Sequence, residues 1–126
     1  MTGYLLDTSV LLRFLSDFDS LNDPTKAVFA DNDARIMVSA ASFFEIAVKK
    51  AMKKAKTPDN LPEMVAKSGL EVLDLTPEVT WKTLRLPYHH TDPYDRLLLA
   101  QAAINGLTII TSTPYFDAYG IPIIKT

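Results

Sequence analysis

The chain has 126 residues, of which 48% are hydrophobic and 22% charged, a balance that is typical of one globular domain and argues against a disordered chain. The net charge of −2 gives no overall basic character, so any contact with nucleic acid has to come from a local patch. The absence of cysteine excludes disulfides and thiolate metal sites, and it fits an intracellular protein.

The first part of the chain alternates short apolar runs with helical patterns. The run Tyr4–Leu6 predicts a buried strand that ends on Asp7, because a helical spacing of apolar residues follows it at once. A second apolar run, followed by a longer helical pattern, repeats this arrangement. The predicted elements are a helix from Val10 to about Ser16, a helix from Asp23-Pro24 to about Asp31, a strand at Ile36–Val38 and a helix from about Ala40 to Ala55.

The second part of the chain continues the alternation with clear helix boundaries. Asp92 is a natural N-cap, Pro93 a natural first helical residue, and Asn105-Gly106 a typical helix end. The other predicted elements are a helix at Leu61–Lys67 stopped by Gly69, a strand at Leu70–Leu75, a helix capped by Thr76-Pro77, a strand at Leu107–Ile110, a helical turn after Thr113-Pro114 and a strand at Ile121–Ile124. Strands separated by helices predict an α/β domain over residues 1–126, with a mostly parallel sheet and helices on both faces.

Acidic side chains follow the predicted strands. Asp7 comes directly after the first strand, Glu45 lies early in the helix after the second, and Asp95 opens the helix before the fourth. Because the carboxyl ends of parallel strands meet at one edge of a sheet, these carboxylates can converge there, where open α/β folds bind ligands. Like charges raise one another's pKa, and a hard cation with oxygen ligands, Mg²⁺ or Mn²⁺, removes that cost. The pattern therefore favours a metal-dependent phosphodiesterase or nuclease.

Each of these acids also has a structural interpretation. Asp7 could cap the helix that follows it, and Ser42-Phe43-Phe44-Glu45 matches a capping box. Asp92 and Asp95 flank a proline at a helix start, where the helix dipole favours anions whatever the function. For Asp92 the cap is the preferred interpretation, whereas Glu45 and Asp95 fit both.

Four blocks of the chain, in order, resemble the PIN-domain family, and above all its VapC-like toxin ribonucleases of bacterial toxin–antitoxin pairs. The blocks are Leu5–Leu12 (LLDTSVLL), Val38–Ala47 (VSAASFFEIA), His90–Ala102 (HTDPYDRLLLAQA) and the ending Ala118–Ile124 (AYGIPII). The resemblance implies a three-layer α/β/α sandwich with a mostly parallel central sheet of four to five strands. It also implies a Mg²⁺- or Mn²⁺-dependent endoribonuclease, a cognate antitoxin that blocks the acidic site, and a homodimer.

The resemblance assigns the site residues. The family's first acid matches Asp7, its second Glu45 and its third Asp95, with Asp92 as an additional acid of the same block. Its fourth acid would follow the fourth strand, where this chain has Thr113. A hydroxyl adds no negative charge, so a second hypothesis is a weakened PIN domain that binds RNA or a protein without cleaving. Asp92 or Asp117 could compensate.

Several residues near these acids are candidates for binding the substrate. Lys49 and Lys53 follow Glu45 at helical spacing and would form a basic track for RNA phosphates, or merely a solvated helix end. Arg96 could orient a carboxylate or a phosphate, or form a surface ion pair. Thr8 and Ser9 could position water or phosphate beside Asp7. The aromatic residues Phe43, Phe44 and Trp81 are expected in the core.

The chain also carries no pattern of a targeting or membrane segment. Its apolar N-terminal stretch lacks a basic leader and is broken by Asp7 and Arg13. No run approaches the roughly 18 apolar residues that a membrane helix needs. We therefore expect a cytoplasmic protein that makes no membrane contact.

Overall fold

The computed structural model describes residues 3–126. None of the helices in this range is both long enough and apolar enough to cross a bilayer. Short 3₁₀ segments occur at Phe18–Ser20, Thr83–Arg85 and Pro114–Tyr119. The strands and α-helices are β1 (Gly3–Leu6), α1 (Thr8–Ser16), α2 (Asp23–Ala30), β2 (Arg35–Ser39), α3 (Ala40–Ala51), α4 (Leu61–Lys67), β3 (Glu71–Leu73), α5 (Pro77–Lys82), α6 (Pro93–Asn105), β4 (Thr108–Thr111) and β5 (Ile123–Lys125).

The strands form one sheet in the order β3-β2-β1-β4-β5, and every neighbouring pair is parallel. Leu5 of β1 lies opposite Met37 of β2 and Ile109 of β4, which sets the register of the three central strands. The predicted α/β class and parallel sheet are confirmed, with five strands in the described residues.

Alternate residues of the central strands build two separate cores. Leu5, Met37 and Ile109 pack with α5 and α6 on one face, whereas the next residues along each strand, Leu6, Val38 and Ile110, pack with α1 to α4 on the other. All six side chains are essentially inaccessible to solvent. The sheet is therefore covered on both faces, which confirms the predicted three-layer arrangement.

Local sequence signals account for most helix boundaries. Thr76 and Asp92 cap α5 and α6 as predicted, and Gly106 ends α6 with a φ of 65° that glycine adopts without strain. The pair Asp23-Pro24 predicts a cap at Asp23 and a first helical residue at Pro24, but helix α2 begins at Asp23 and its cap is Asn22. Strand β5 is displaced towards the end of the chain and lies after Pro122, which has no N–H for the ladder.

Helix α3 ends at Ala51, not near Ala55 as predicted. Its end is closed by two backbone hydrogen bonds, from Lys54 N to Lys49 O (2.8 Å) and from Lys53 N to Lys50 O (2.9 Å), which together form a Schellman motif. This motif places Lys53 in the left-handed region, with a φ of 58°. Lys53 therefore lies beyond the helix, and the prediction that it shares a helical face with Glu45 and Lys49 is wrong.

We predict that Lys53→Gly stabilises the protein. A side chain in the left-handed region costs about 1–2 kcal/mol, and the greater freedom of glycine in the unfolded chain offsets part of the gain. The expected net increase in the free energy of unfolding is about 0.5–1 kcal/mol, measured by urea denaturation. Lys54→Gly is the matched control, because Lys54 has no positive φ. An equal or larger gain in the control would contradict the strain argument.

Candidate metal centre

The order of the strands creates a crevice between β1 and β4. The chain runs from β1 outwards to β2 and β3, then crosses back over the sheet to β4 and β5 on the other side of β1. Open α/β folds bind ligands at such a reversal, beyond the carboxyl ends of the strands. Asp7 follows β1 at this point, and its backbone N–H extends the sheet by donating to Ile110 O (3.0 Å).

A cavity of about 240 Å³ opens at this crevice. All four predicted acidic residues line it, together with four of the predicted substrate-binding residues. We call it the acidic cavity, and its lining includes Asp7, Glu45, Asp92, Asp95, Thr8, Ser9, Lys49 and Thr113.

Asp7 is both the N-cap of α1 and the most buried of these acids. Its side chain is 3% exposed, and Oδ1 accepts hydrogen bonds from Val10 N (2.8 Å) and Ser9 Oγ (3.0 Å). Its Oδ2 accepts a short hydrogen bond from the buried hydroxyl of Thr111 at the end of β4. Burial raises the pKa of Asp7 and the charge of Glu45 adds to that rise, while these hydrogen bonds oppose it. The cap that the sequence offers as an alternative role for Asp7 is therefore formed, and the same carboxylate lines the acidic cavity.

Glu45 is buried and held from two sides. Its Oε1 accepts a hydrogen bond from Thr8 Oγ1 (2.6 Å), and its Oε2 pairs with Lys49 Nζ (2.6 Å) one helical turn further on. The hydroxyl of Thr8 also lies 2.9 Å from that of Ser42. The capping-box interpretation is wrong, because α3 begins at Ala40 and its cap is Ser39. Glu45 therefore bonds within the acidic cavity rather than back to the helix start.

Asp92 caps α6 and is exposed at the rim of the acidic cavity. Both of its hydrogen bonds go to Oδ1, from Tyr94 N (2.9 Å) and from Asp95 N (3.0 Å). The cap preferred from the sequence is thus formed. Since Oδ2 takes no part in the cap, the capping role leaves one oxygen of Asp92 available to the cavity.

Asp95 carries the clearest electrostatic signal of the site. Burial and then the charges of Asp92, Glu45 and Asp7 raise its pKa from 3.8 to about 7, and the charge of Lys49 opposes the rise only in part. The three acids therefore lie close enough to Asp95 to disfavour its ionised form.

The donor set suits a hard divalent cation. The oxygen-bearing side chains that line the acidic cavity are carboxylates and hydroxyls, and a cation among them would offset the repulsion that raises the pKa of Asp95. In residues 3–126, however, no three His, Asp or Glu side chains already have the arrangement of a metal site. The residues fit Mg²⁺ or Mn²⁺ in their chemistry. In this structure the positive charge next to Glu45 is the ammonium group of Lys49.

The structure places Arg96 away from the acidic cavity, so the prediction that it orients a site carboxylate or a phosphate is wrong. Its side chain is buried, and its two terminal nitrogens donate to the carbonyl groups of Thr83 (2.7 Å), Leu86 (3.0 Å) and Pro87 (2.9 Å). The ring of Tyr88 covers its guanidinium at 3.9 Å. Arg96 therefore anchors the segment before α6.

The structure also excludes Asp117 as a compensating acid of the cavity and corrects the expected burial of two aromatic residues. Asp117 forms an ion pair with Lys125 and does not line the acidic cavity. Phe44 and Trp81, expected in the core, are 60% and 70% exposed, whereas Phe43 packs against the core as expected. Trp81 lies on the outer side of the short helix α5, where the core-facing position is taken by Val79.

Thr111 is a contact residue of this site that the sequence prediction missed. It is fully buried, and its hydroxyl both donates to Asp7 and accepts from Thr113 N (2.8 Å). The signal available in the sequence is a threonine at the end of an apolar strand, two residues before Thr113. Hydroxyl side chains at strand ends are common, so this signal alone does not identify a site residue.

The chain matches a family model and several solved structures. The family model described as "PIN domain" matches residues 4–121. A chain in the crystal structure of DNA-bound VapBC from Salmonella typhimurium has a TM-score of 0.74 and 22% identity, with 99% of this chain and 98% of that chain covered. For VapBC2 from Rickettsia felis bound to a promoter DNA fragment these values are 0.74, 16%, 98% and 98%, and for VapBC-5 from Mycobacterium tuberculosis 0.63, 18%, 100% and 100%. At these identities the likeness shows a shared fold. No curated protein sequence matches the chain.

We predict that Asp95→Asn stabilises the metal-free protein at pH 8. The folded pKa of about 7 exceeds the unfolded value of 3.8, so the wild-type carboxyl stabilises the fold fully only below pH 3.8 and loses that contribution as the pH rises through 7. Asparagine carries no charge to repel, and we expect a gain of about 1 kcal/mol at pH 8 for this partly exposed group.

Urea denaturation in EDTA at pH 4 and pH 8 measures this effect. The gain should be small at pH 4, and Mn²⁺ should favour the wild-type protein instead. The exposed Asp33→Asn is the matched control and should change neither value. A variant that is less stable than the wild type at pH 8 in EDTA would contradict the repulsion inferred for Asp95.

Proposed function

The chain belongs to the PIN-domain family, and we propose that it is a Mg²⁺- or Mn²⁺-dependent endoribonuclease that acts as the toxin of a toxin–antitoxin pair. The observation that carries this proposal is the convergence of Asp7, Glu45, Asp92 and Asp95 on one cavity at the strand reversal. PIN domains are typically nucleases, and the fold is shared with chains of VapBC complexes.

We assign the cation to the carboxylates of Asp7, Glu45 and Asp95, with Asp92 as a further ligand from the rim. When bound, the cation would polarise the phosphate and lower the pKa of an attacking water. Thr8 holds Glu45 in place through its 2.6 Å hydrogen bond. Together these residues form the proposed catalytic group.

The RNA backbone is proposed to enter beside Lys49, whose side chain is 51% exposed and lies at the acidic cavity. The hydrogen bond with Glu45 raises the pKa of Lys49, so its ammonium stays charged at neutral pH. Lys53, which lies beyond the end of α3, is proposed to add a second positive charge for the RNA backbone. Thr8, Ser9 and Thr113 line the acidic cavity and are proposed to contact phosphate or water there.

An antitoxin and a second copy of the chain are the proposed protein partners. The supporting observations are the toxin–antitoxin complexes among the structural neighbours and an exposed apolar surface around α5. Trp81, Leu84 and Tyr88 are 70%, 64% and 72% exposed, and large exposed aromatic groups are typical of protein interfaces.

We predict that Asp7→Asn abolishes RNA cleavage and leaves the fold intact. Asparagine keeps an oxygen that can accept from Val10 N, and it is as good an N-cap as aspartate. It removes the charge that would bind the cation, so the cleavage rate should fall at least about a hundredfold. The measurement is cleavage of total RNA with Mg²⁺ or Mn²⁺, with EDTA as the metal-free control.

Asp117→Asn is the matched variant for this experiment. It removes an acid that lies outside the acidic cavity and should cleave like the wild type. Unchanged cleavage by Asp7→Asn, with circular dichroism showing an intact fold, would reject the assigned metal centre.

A second candidate function is a PIN domain that binds RNA or protein without efficient cleavage, and Thr113 is the observation that favours it. This uncharged residue lines the acidic cavity at the position where the family resemblance implies a fourth acid. Fewer carboxylates bind fewer cations, so this hypothesis expects weak Mn²⁺ uptake and slow cleavage.

We predict that Thr113→Asp increases Mn²⁺ affinity, measured by calorimetry, and increases RNA cleavage at limiting Mn²⁺. The added carboxylate would face the other acids and contribute a charged ligand. The exposed neighbour Ser112→Asp is a control for added charge nearby. If the wild type takes up no Mn²⁺ and Thr113→Asp restores uptake, the binding-only function is favoured.

A further inference from the structure

His90 lies between the acidic cavity and the 3₁₀ segment Pro114–Tyr119. Its side chain is only 9% exposed. The ring stacks on that of Tyr115, with centroids 5.7 Å apart and planes inclined by 15°, and it also contacts Phe116 at 5.9 Å. The imidazole is therefore held in one orientation, and each of its nitrogens has a defined neighbour.

Tyr119 determines which nitrogen of His90 carries the proton. Its hydroxyl oxygen accepts the backbone N–H groups of His89 and His90, both at 3.2 Å, and a longer hydrogen bond from Arg96 Nη1 (3.5 Å). The same oxygen lies 2.7 Å from His90 Nδ1. A phenol oxygen has two lone pairs and one hydrogen. Since these three N–H donors already point at the lone pairs, the hydroxyl hydrogen is the one that completes the contact with Nδ1.

Nδ1 of His90 is therefore an acceptor, and in the neutral imidazole the proton lies on Nε2. This Nε2 is buried and has no hydrogen-bond partner in the described part of the chain. It lies 3.5 Å from Oδ2 of Asp95. A buried N–H without an acceptor is unfavourable, and a shift to about 2.9 Å would satisfy it.

We propose that His90 is a positioning residue: its Nε2–H donates to Oδ2 of Asp95 and fixes the orientation of that carboxylate for a divalent cation in the acidic cavity. Carboxylate ligands are commonly oriented by such hydrogen bonds from a second layer of residues. The order of contacts is Tyr119 to His90 to Asp95, so Tyr119 acts on the acidic cavity without lining it. This inference rests on the proposed metal-dependent function.

The alternative is that His90 only connects the segment before α6 to Tyr119. Two variants separate these roles because they keep different halves of the imidazole. His90→Gln retains a donor near the position of Nε2 and loses the contact with Tyr119. His90→Asn retains an acceptor near the position of Nδ1 and loses the donor towards Asp95.

The first measurement needs neither a cation nor activity. A long-range ¹H–¹⁵N correlation spectrum of the metal-free protein at pH 8, where an ordinary histidine with a pKa of about 6.5 is neutral, distinguishes the two tautomers. We expect His90 to be protonated at Nε2, and Tyr119→Phe to abolish that preference. Protonation of His90 at Nδ1 in the wild type would overturn the proposal while leaving the nuclease assignment intact.

The second measurement is Mn²⁺ affinity by calorimetry. His90→Gln should bind Mn²⁺ like the wild type, and His90→Asn about ten- to a hundredfold more weakly. The exposed neighbour His89→Gln should leave the affinity unchanged. The reverse order, with the asparagine variant intact and the glutamine variant weakened, would show that the Tyr119 contact alone matters and would overturn the proposal.

Two other results have defined meanings. If His90→Asn does not fold, the tautomer and its response to Tyr119→Phe decide the matter in folded protein. If the wild type takes up no Mn²⁺, the metal-dependent function fails and the role of His90 towards a cation fails with it, even where the Nε2 tautomer is observed.

Discussion

Repulsion among carboxylates at the strand reversal is the constraint on which the site depends. The parallel sheet brings Asp7 to the same edge as the helix starts that carry Glu45 and Asp95, and the acids raise one another's pKa there. A fold that buries like charges needs nearby hydrogen-bond donors or opposite charges to offset the cost of their burial and repulsion. Here Thr111 donates to Asp7, Thr8 to Glu45, and Lys49 pairs with Glu45, so each buried acid has a partner other than a metal ion.

This compensation does not extend to Asp95. Asp7 and Glu45 each receive hydroxyl hydrogen bonds, whereas Asp95 has a pKa of about 7 and faces an unsatisfied histidine nitrogen. Purely structural acids would be expected to have their hydrogen-bonding capacity filled in the folded state. The carboxylate whose charge is least compensated is therefore that of Asp95, which follows the exposed cap Asp92 in the first turn of α6.

The sequence predicts the fold well because most of its signals are local. Apolar runs that end in small or acidic residues mark β1 and β2, and the Asp-Pro and Asn-Gly pairs mark both ends of α6. Lys53 shows the limit of this reasoning. The left-handed position of a Schellman motif is usually a glycine, which can be recognised in the sequence, whereas here it is a lysine. Arg96 shows another limit. Its neighbours in sequence suggest an ion pair, but the carbonyl groups that bind it come from the segment Thr83–Pro87, which only the tertiary fold brings together.

For Asp7 and Asp92, capping a helix is compatible with lining the acidic cavity, although the sequence presents the two roles as alternatives. In Asp92, the helix uses Oδ1 alone for both capping hydrogen bonds. In Asp7, the cap likewise falls on Oδ1, and Oδ2 turns to Thr111 at the neighbouring strand. A carboxylate that caps a helix has lost most of its rotational freedom to backbone donors, so its second oxygen points in a direction set by the helix axis. The capping hydrogen bonds thus fix the orientation of the carboxylate. A sequence pattern that predicts a cap at the end of a parallel strand therefore also predicts the position of a negative charge at that edge of the sheet.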